Sequence, residues 1–390
     1  QPVCFQNSHS LTDMAGIYIH IPFCKSKCSY CDFFSATDYN QQTELLAAMK
    51  KELVLQKEFL KKELVSTIYF GGGTPSTLSA ENILDIINSI NTHFQLAENV
   101  EITLEANPDD LNINYLQQLR EIGINRLSIG IQSFDNEQLT AIRRRHTAET
   151  AVRAIEDAQT CGFDNISIDL IYGLPGQSLQ SWKYQIDKAL THGVQHISAY
   201  GLTYEKGTLL WHQLQRGEIK QVDDETMNAM YQYLVKVCVE NGFEHYEISN
   251  FALPNRRSRH NSAYWHQQPY LGIGPAAHSY NLISRQWNVA SIRQYCDKIN
   301  SGIQWYETEI LTEQDKYNDL IMVSLRTSEG IELKQVETIF GNEKAEYCLI
   351  SAKKYLNEKL LYQNNGFLRL TPDGILISDQ IIADLMLCEE

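Results

Sequence analysis

Three cysteines lie within eight residues near the start of the chain, at Cys24, Cys28 and Cys31. They follow residues 16–23, whose largely apolar sequence predicts a short buried strand that runs into a loop. Three thiolates on so short a loop can converge on one metal centre. Iron–sulfur clusters are held by cysteine thiolates, usually four. With only three local cysteines, one iron of such a cluster would keep an open coordination position.

Two other uses of this cysteine loop stay open on spacing alone. A disulfide would leave one cysteine unpaired, and nine cysteines without a secretory signal favour a reducing, cytoplasmic compartment. A zinc site needs a fourth ligand, and His20, inside the predicted strand and four residues before Cys24, is the candidate. Spacing favours the iron–sulfur cluster over zinc.

Composition limits the partners of the chain. Its 390 residues suffice for one large domain and a smaller one, and its net charge of −15 disfavours nucleic acid and anionic lipid. No apolar run approaches the roughly 20 residues of a membrane-spanning helix. Residues 1–13 lack the basic start and apolar core of a signal peptide. They are either a loose extension or a segment before a true start at Met14.

Strand and helix patterns alternate through residues 14–249 and make six strand–helix units. Strands in such a series pair in parallel, and right-handed crossovers place the helices on the outside. We therefore predict an α/β fold, a partial (β/α)6 TIM-like barrel. Its helices are predicted over residues 42–63, 80–93 (capped by Ser79), 112–122, 148–161, 178–191 and 224–241.

Each predicted strand ends in polar or glycine-rich sequence. In barrels of this kind the functional site lies at the carboxyl ends of the strands. Each polar strand end taken alone is more often a solvated side chain, but their convergence on one rim favours a site. The residues at these ends are the cysteine loop, Gly71-Gly72-Gly73-Thr74-Pro75, Glu105, Asn107, Gln132, Asp169 and Tyr200.

The last third of the chain changes pattern. Residues 250–304 are interpreted as an irregular connecting region packed over the barrel. Residues 305–390 predict a small winged-helix-like domain with a hairpin around Asn364-Asn365-Gly366. DNA binding is not expected of it, because residues 311–390 hold 8 Lys and Arg against 14 Asp and Glu. Its helices are predicted over 312–325, 332–339 and 343–359.

The cysteine loop and the strand ends together resemble the radical S-adenosylmethionine (SAM) enzymes. In that family the open iron of a [4Fe–4S] cluster, here on Cys24, Cys28 and Cys31, binds the amino and carboxylate groups of SAM. Tyr18 and Tyr30 would pack beside the cluster or SAM, although either is equally explained as core. The further SAM contacts implied by the resemblance are Gly72, Gly73, Thr74, Glu105, Gln132, Asp169 and Arg144, the last of which would receive a carboxylate.

A closer resemblance covers residues 15–390. The sequences before Cys24, the Gly-Gly-Gly-Thr-Pro loop, residues 128–134 and residues 168–175 are similar to the oxygen-independent coproporphyrinogen III oxidase family. Its dehydrogenase branch carries a further cysteine at the position of Phe33 and an N-terminal arm. This chain has neither feature. The other branch, the HemW-type haem chaperones, lacks both as well and has a histidine motif matched by residues 260–265, His-Asn-Ser-Ala-Tyr-Trp.

This resemblance implies a cytoplasmic haem chaperone that binds the cluster, SAM and one haem. It would pass haem to an acceptor haem protein, such as one of the respiratory chain, at a membrane surface through a partner. His260 would be the haem ligand, with His266 and His278 as alternatives. On chemistry alone His260 and Asn261 more simply tie a loop to the barrel. Tyr264 and Trp265 would contact the porphyrin, and its propionates would pair with Arg256, Arg257 and Arg259.

The alternative function is SAM-dependent coproporphyrinogen III dehydrogenation in porphyrin biosynthesis. The cluster and the SAM contacts permit it, whereas Phe33 and the missing arm count against it. Whether SAM is cleaved stays open at this point, and so do the electron donor and the oligomeric state.

Overall fold

Six parallel strands in chain order form the wall of a partial barrel. The structure, a computed structural model, describes residues 14–61 and 63–388. The possible extension at residues 1–13, which includes Cys4, therefore lies outside the described residues. The barrel strands are β1 (Met14–Ile21), β2 (Leu64–Gly72), β3 (Leu96–Ala106), β4 (Arg126–Gln132), β5 (Ile166–Tyr172) and β6 (His196–Gly201), each paired with the next.

Helices cover the outside of these strands. The predicted helices are confirmed within two residues at each end, except the first, which ends at Leu55 and is followed by turns over residues 56–61. The Ser79 side chain caps α2 by accepting a hydrogen bond from the Asn82 backbone N–H, as predicted. The helices are α1 (Gln42–Leu55), α2 (Ala80–His93), α3 (Ile113–Glu121), α4 (Asn136–Ala141), α5 (Ala148–Thr160), α6 (Leu179–Thr191), α7 (Leu209–Gln215) and α8 (Asp224–Glu240).

Alternate strand positions divide the barrel into an apolar outer layer and a polar interior. On β1, Ile17 and Ile19 are fully buried against the helices, and Tyr18 lies on the opposite face. On β3, the Leu104 side chain packs in the apolar core, whereas its neighbour Glu105 lies on the interior face, where it accepts a hydrogen bond from Tyr69. The interior of the barrel therefore carries hydrogen-bonding side chains, which is what places a polar site at its mouth.

The prediction of an irregular region at 250–304 was wrong. These residues extend the barrel sheet on both sides, because β8 pairs with β6 while β9 pairs in parallel with β1. The strands are three to five residues long, too short to show an alternating pattern in sequence. The elements are β7 (Glu244–Glu247), β8 (Asn250–Ala252), α9 (Arg259–Trp265), β9 (Tyr270–Ile273), β10 (His278–Tyr280), β11 (Ser284–Asn288), α10 (Ile292–Ser301) and β12 (Tyr306–Ile310).

The C-terminal residues build a second, smaller apolar core. The two predicted helices on either side of Gly341 form one element that kinks at this glycine, whose φ is 84°. The hairpin turns at Asn365 and Gly366, both at positive φ, as its Asn-Gly sequence predicts. Within the described ranges no helix is long and apolar enough to cross a membrane. The elements are α11 (Glu313–Leu325), β13 (Ile331–Glu332), α12 (Leu333–Asn357), β14 (Leu361–Asn364), β15 (Phe367–Leu370), α13 (Pro372–Ile375) and α14 (Ser378–Leu385).

Candidate functional site

A cavity of about 400 Å³ opens at the carboxyl ends of the barrel strands. Most of the residues predicted from sequence line it, and they come from the cysteine loop and from four successive strands. Of the predicted cluster and SAM contacts only Tyr18 does not line it, and none of the residues predicted to contact haem does. The predicted residues that line the cavity are Cys24, Cys28, Cys31, Tyr30, Gly72, Gly73, Thr74, Glu105, Gln132, Arg144 and Asp169.

Backbone hydrogen bonds hold the cysteine loop over β1. The Cys24 N–H donates to the Ala36 carbonyl at 2.9 Å, and the Ala36 N–H donates back to the Pro22 carbonyl at 2.6 Å. Two polar side chains reach the sulfurs, since Thr74 Oγ1 lies 3.3 Å from the Cys24 sulfur and Arg144 Nη1 lies 3.5 Å from the Cys28 sulfur. Such donors stabilise bound thiolates, as a cluster requires.

The cysteine loop suits a cluster better than a single zinc ion. Across residues 14–61 and 63–388, no three His, Cys, Asp or Glu side chains are placed to share one metal ion. The proposed fourth ligand, His20, has both ring nitrogens engaged, since Nε2 donates to the Phe34 carbonyl at 3.1 Å and Nδ1 lies 3.2 Å from the Tyr18 hydroxyl. In a four-iron cluster each thiolate binds a different iron, so the sulfurs need only line the same cavity.

The glycine loop after β2 is shaped by close contacts. A Cβ on Gly72, whose φ is +108°, would meet the His20 ring at 2.6 Å. A Cβ on Gly73 would meet the Phe23 carbonyl oxygen at 2.8 Å. Only glycine fits this approach of two strand ends, and its bare backbone is left facing the cavity.

Two carboxyl groups project into the cavity from β3 and β5. Burial raises the pKa of Glu105 to about 7 and that of Asp169 to about 6. Glu105 accepts hydrogen bonds from the Tyr69 hydroxyl at 2.8 Å and the Gly72 N–H at 3.2 Å, and Asp169 accepts one from Ser128 at 3.3 Å. Each carboxylate keeps acceptor capacity for a ligand.

Arg144 is fixed beside the cysteines and Gln132 is held in a strained conformation. The Arg144 Nη2 donates to Asn107 Oδ1 at 2.5 Å and to the Gly130 carbonyl at 2.6 Å. Gln132 has a φ of +65°, which is rare for a residue with a side chain and is common at functional sites. Both residues line the cavity.

His260 lies inside the barrel, behind the cavity. It is 1% exposed, and its ring nitrogens lie 2.8 Å from the Thr67 and Tyr264 hydroxyls. Its ring stacks on Tyr69 at 5.0 Å, with Tyr18 alongside at 6.4 Å. In this conformation His260 ties α9 to the barrel, so its role as a haem ligand stays a prediction that would need these bonds to break.

The two alternative histidines, His266 and His278, differ in whether their ring nitrogens make hydrogen bonds. His266 bonds through Nε2 to Glu329 at 2.9 Å and through Nδ1 to the Ser262 carbonyl at 2.8 Å. His278 is exposed, and its ring makes no hydrogen bond in the part of the chain that the structure describes. Its ring lies over that of Trp287, with 6.4 Å between the two ring centroids.

The three arginines before the histidine motif already have partners. Arg256 pairs with Asp164 at 3.1 Å, and Arg257 pairs with Glu244 at 2.8 Å. Arg259 donates to the Asn99 carbonyl at 2.5 Å. These arginines would therefore have to give up their present partners in order to pair with haem propionates.

Sequence reasoning missed the side chains beneath the cavity. Tyr69 bonds Glu105, and Thr67 bonds His260, both from the inner face of β2. The signal was present, because residues 67, 69 and 71 alternate with the buried Ile68 and Phe70.

Comparison with known proteins gives matches over most of the chain. The family model of the radical SAM superfamily matches residues 18–188, and that of the HemN C-terminal domain matches residues 311–377. A "Heme chaperone HemW" of Bacillus subtilis (strain 168) is 34% identical over 372 residues, which are 94% of this chain and 98% of that protein. One of Lactococcus lactis is 32% identical over 370 residues, 95% of this chain and 97% of that protein.

Among solved structures, coproporphyrinogen III oxidase (HemN) from Escherichia coli is similar with a TM-score of 0.82. It is 22% identical, and the match covers 95% of this chain and 90% of that chain. At this identity the likeness confirms the predicted fold, a partial barrel with a small C-terminal module, and does not favour the dehydrogenase alternative. By its sequence relatives, the chain belongs to the HemW haem chaperone family of the radical SAM superfamily.

Proposed function

We propose that the chain binds a [4Fe–4S] cluster, SAM and one haem, and passes the haem to an acceptor haem protein. Membership of the radical SAM superfamily implies the cluster and SAM, and the names of the relatives support haem handling. The observation that carries the proposal is that the three cysteines share one cavity with the glycine loop and two carboxyl groups. The acceptor we propose is a respiratory haem protein at a membrane surface, reached from the cytoplasm through a partner.

The residues of the cavity fit the cluster and SAM. Cys24, Cys28 and Cys31 would each hold one iron of the cluster, and the cluster would supply one-electron chemistry to SAM bound in the cavity. The backbone of Gly72 and Gly73 offers hydrogen-bonding groups to the amino acid end of SAM. The other proposed contacts are Thr74, Tyr30, Gln132, Arg144, which would face the SAM carboxylate, and Glu105 and Asp169, which would accept from ammonium or hydroxyl groups.

SAM binding should weaken as the pH falls through about 7. The carboxylate of Glu105 accepts hydrogen bonds best when it is ionised, and burial raises its pKa to about 7. Asp169, with a pKa of about 6, adds a second step at lower pH. Equilibrium binding of SAM to the cluster-loaded protein between pH 5.5 and 8.5, roughly one and a half units either side of the Glu105 pKa, measures this.

Glu105→Gln is the matched variant for this measurement. At pH 8 it should weaken SAM binding by about tenfold or more, since a charge-assisted hydrogen bond is lost, and it should remove the step near pH 7. An unchanged affinity with an unchanged pH profile would contradict the assignment of Glu105 to SAM.

The accessible imidazole for haem in this conformation is His278. Although the residue is exposed, partial desolvation of its ring and the nearby Arg285 lower its pKa, so the ring is neutral at pH 7, the form that binds iron. His278 is close enough to His20 to contribute to the lowered pKa of that residue, and His20 anchors the cysteine loop at Phe34. In the same loop Phe33 is 65% exposed and offers an aromatic face to a porphyrin. His260 enters the proposal as ligand only if α9 moves.

An anaerobic haem titration of the cluster-loaded protein tests the proposal. We expect saturation at about one haem per chain, with the Soret band of an imidazole complex. His278→Ala should weaken binding and change that band, while His266→Ala should leave both unchanged. A loss confined to His260→Ala would assign the ligand to a conformation with α9 displaced. Absence of saturable binding in the parent protein would contradict the haem proposal.

A further inference from the structure

The histidine motif sits on a helix that packs against the interior of the barrel. Helix α9 lies against the amino-terminal halves of β1 and β2, where a Cβ on Gly16 would meet the His260 ring at 3.1 Å. The Glu101 carboxylate accepts from the Arg259 N–H at 3.0 Å and from the His260 N–H at 3.2 Å, which fixes the start of α9 to β3. His260 is therefore held on its backbone as well as on its ring.

From His260, a short series of contacts leads to the cavity. Tyr264 bonds the His260 Nε2, and the His260 ring stacks on Tyr69 at an interplanar angle of 24°. The Tyr69 hydroxyl donates to Glu105 Oε1, and the other oxygen of Glu105 accepts from the Gly72 N–H. A Cβ on Gly71 would meet the Tyr69 ring at 2.9 Å and Glu105 Oε1 at 3.1 Å, so the phenol has little room on its far side.

We propose that His260, held by Thr67 and Tyr264, is a positioning residue that fixes Tyr69 against Glu105 and so sets how tightly the cavity binds SAM. This inference rests on the proposed SAM site. His260 touches neither the cysteine loop nor the cavity, so its effect on SAM would be transmitted through the Tyr69 ring.

Packing restricts the movement of the Tyr69 ring. A phenol clamped between an imidazole and a glycine backbone loses little entropy when it donates to Glu105. When the clamp is loosened, the hydroxyl donates less of the time, and the carboxylate loses one of its two hydrogen bonds. Because donation from Tyr69 lowers the pKa of Glu105, loosening it must raise that pKa.

Other ionisable groups also face Glu105, and all of them except Tyr264 are unchanged in every variant chosen below. They belong to five further elements, and Arg126 is the cation among them. The groups are Tyr18 on β1, Arg126 on β4, Asp169 on β5, Tyr200 on β6 and Tyr264 on α9.

The test is SAM binding to the cluster-loaded protein without haem, followed across pH. His260→Phe keeps a ring beside Tyr69 but removes both hydrogen bonds, and Tyr264→Phe removes only one. Tyr69→Phe removes the hydrogen bond to Glu105 directly, so its effect on SAM binding gives the full size of that bond's contribution. Ser262→Ala is the control on the same helix, because it removes a buried hydroxyl that has no hydrogen-bond partner among the described residues.

For His260→Phe we expect SAM binding at pH 7 to weaken about fivefold, the value of one hydrogen bond. The midpoint of its pH dependence should move up by about half a unit. Tyr264→Phe should shift both in the same direction by less, and Ser262→Ala should shift neither. A general loss of folding lowers the fraction of protein that binds but leaves the midpoint in place, so the midpoint reports positioning.

Two results would overturn this inference, and they are distinguishable. If Glu105→Gln and Tyr69→Phe weaken SAM binding but His260→Phe and Tyr264→Phe leave the midpoint unchanged, His260 has no positioning role and the SAM site stands. If Glu105→Gln also has no effect, the proposed SAM site itself is wrong. Iron content per chain and the melting temperature are measured for every variant, so that only loaded, folded protein is compared.

Discussion

Replacement of Cys24, Cys28 and Cys31 by alanine together should abolish the broad visible absorption of the reconstituted iron–sulfur protein. The three thiols line one cavity, and two of them have polar side chains beside their sulfurs. Burial raises the pKa of Cys24 and Cys31 in the free protein, so it is the iron that must draw out their protons on loading. Without these thiols the cavity has no other cysteine among the described residues that line it.

Anaerobic reconstitution followed by absorption and iron analysis measures this effect. Cys161→Ala is the matched control, because Cys161 lies at the end of α5, outside the cavity, where its thiol contacts the Ile113 carbonyl oxygen. The control should load as the parent protein does. Cluster absorption that persists in the triple variant would show that other residues hold the iron, and the ligand assignment would be wrong.

Glu52→Ala should destabilise the fold more than any surface substitution on α1. The Glu52 carboxylate is fully buried and accepts hydrogen bonds from Trp305, Asn288 and the Gly274 N–H at 2.7–2.8 Å. The Tyr295 hydroxyl is a fourth donor. Alanine would remove the acceptor of Trp305, Tyr295 and the Gly274 N–H, whereas Asn288 keeps its bond to the Gly274 carbonyl, and each unsatisfied group costs about 1–3 kcal/mol.

Denaturant unfolding of the apoprotein should show a loss of at least about 3 kcal/mol for Glu52→Ala, since not all four donors can find new partners. Glu44→Ala, an exposed position on the same helix, should change the free energy of unfolding by less than about 0.5 kcal/mol. Equal stability of the two variants would mean that the late strands are not tied to the barrel through this carboxylate.

The strand–helix units and the rim of the site could be predicted because their signals are local. Helix α2 begins after Ser79 and ends at His93, as the capping serine and the helical spacing of its apolar residues predict. Glu105 and Asp169 could be predicted to lie together because each stands in the carboxyl-terminal part of an apolar strand, and parallel strands bring these parts together at one edge.

What escaped prediction depends on contacts between distant parts of the chain. Nothing around Glu52 in sequence indicates donors at positions 274, 288, 295 and 305. Likewise the sequence of α9 suits a porphyrin contact as well as a barrel contact, and only its packing places His260 against Thr67 and Tyr69. Short strands such as β10 carry too few residues to show a period.

The pairing of β1 with β9 has a consequence for the order of events during synthesis. The strand that leads into the cysteine loop gets one neighbour from β2 but the other only from Tyr270–Ile273, far along the chain. A nascent chain that ends before these residues leaves β1 as an open edge. Metal loading in a ribosome-bound protein would thus meet a sheet in which the strand that leads into the cysteine loop still lacks one of its two neighbours.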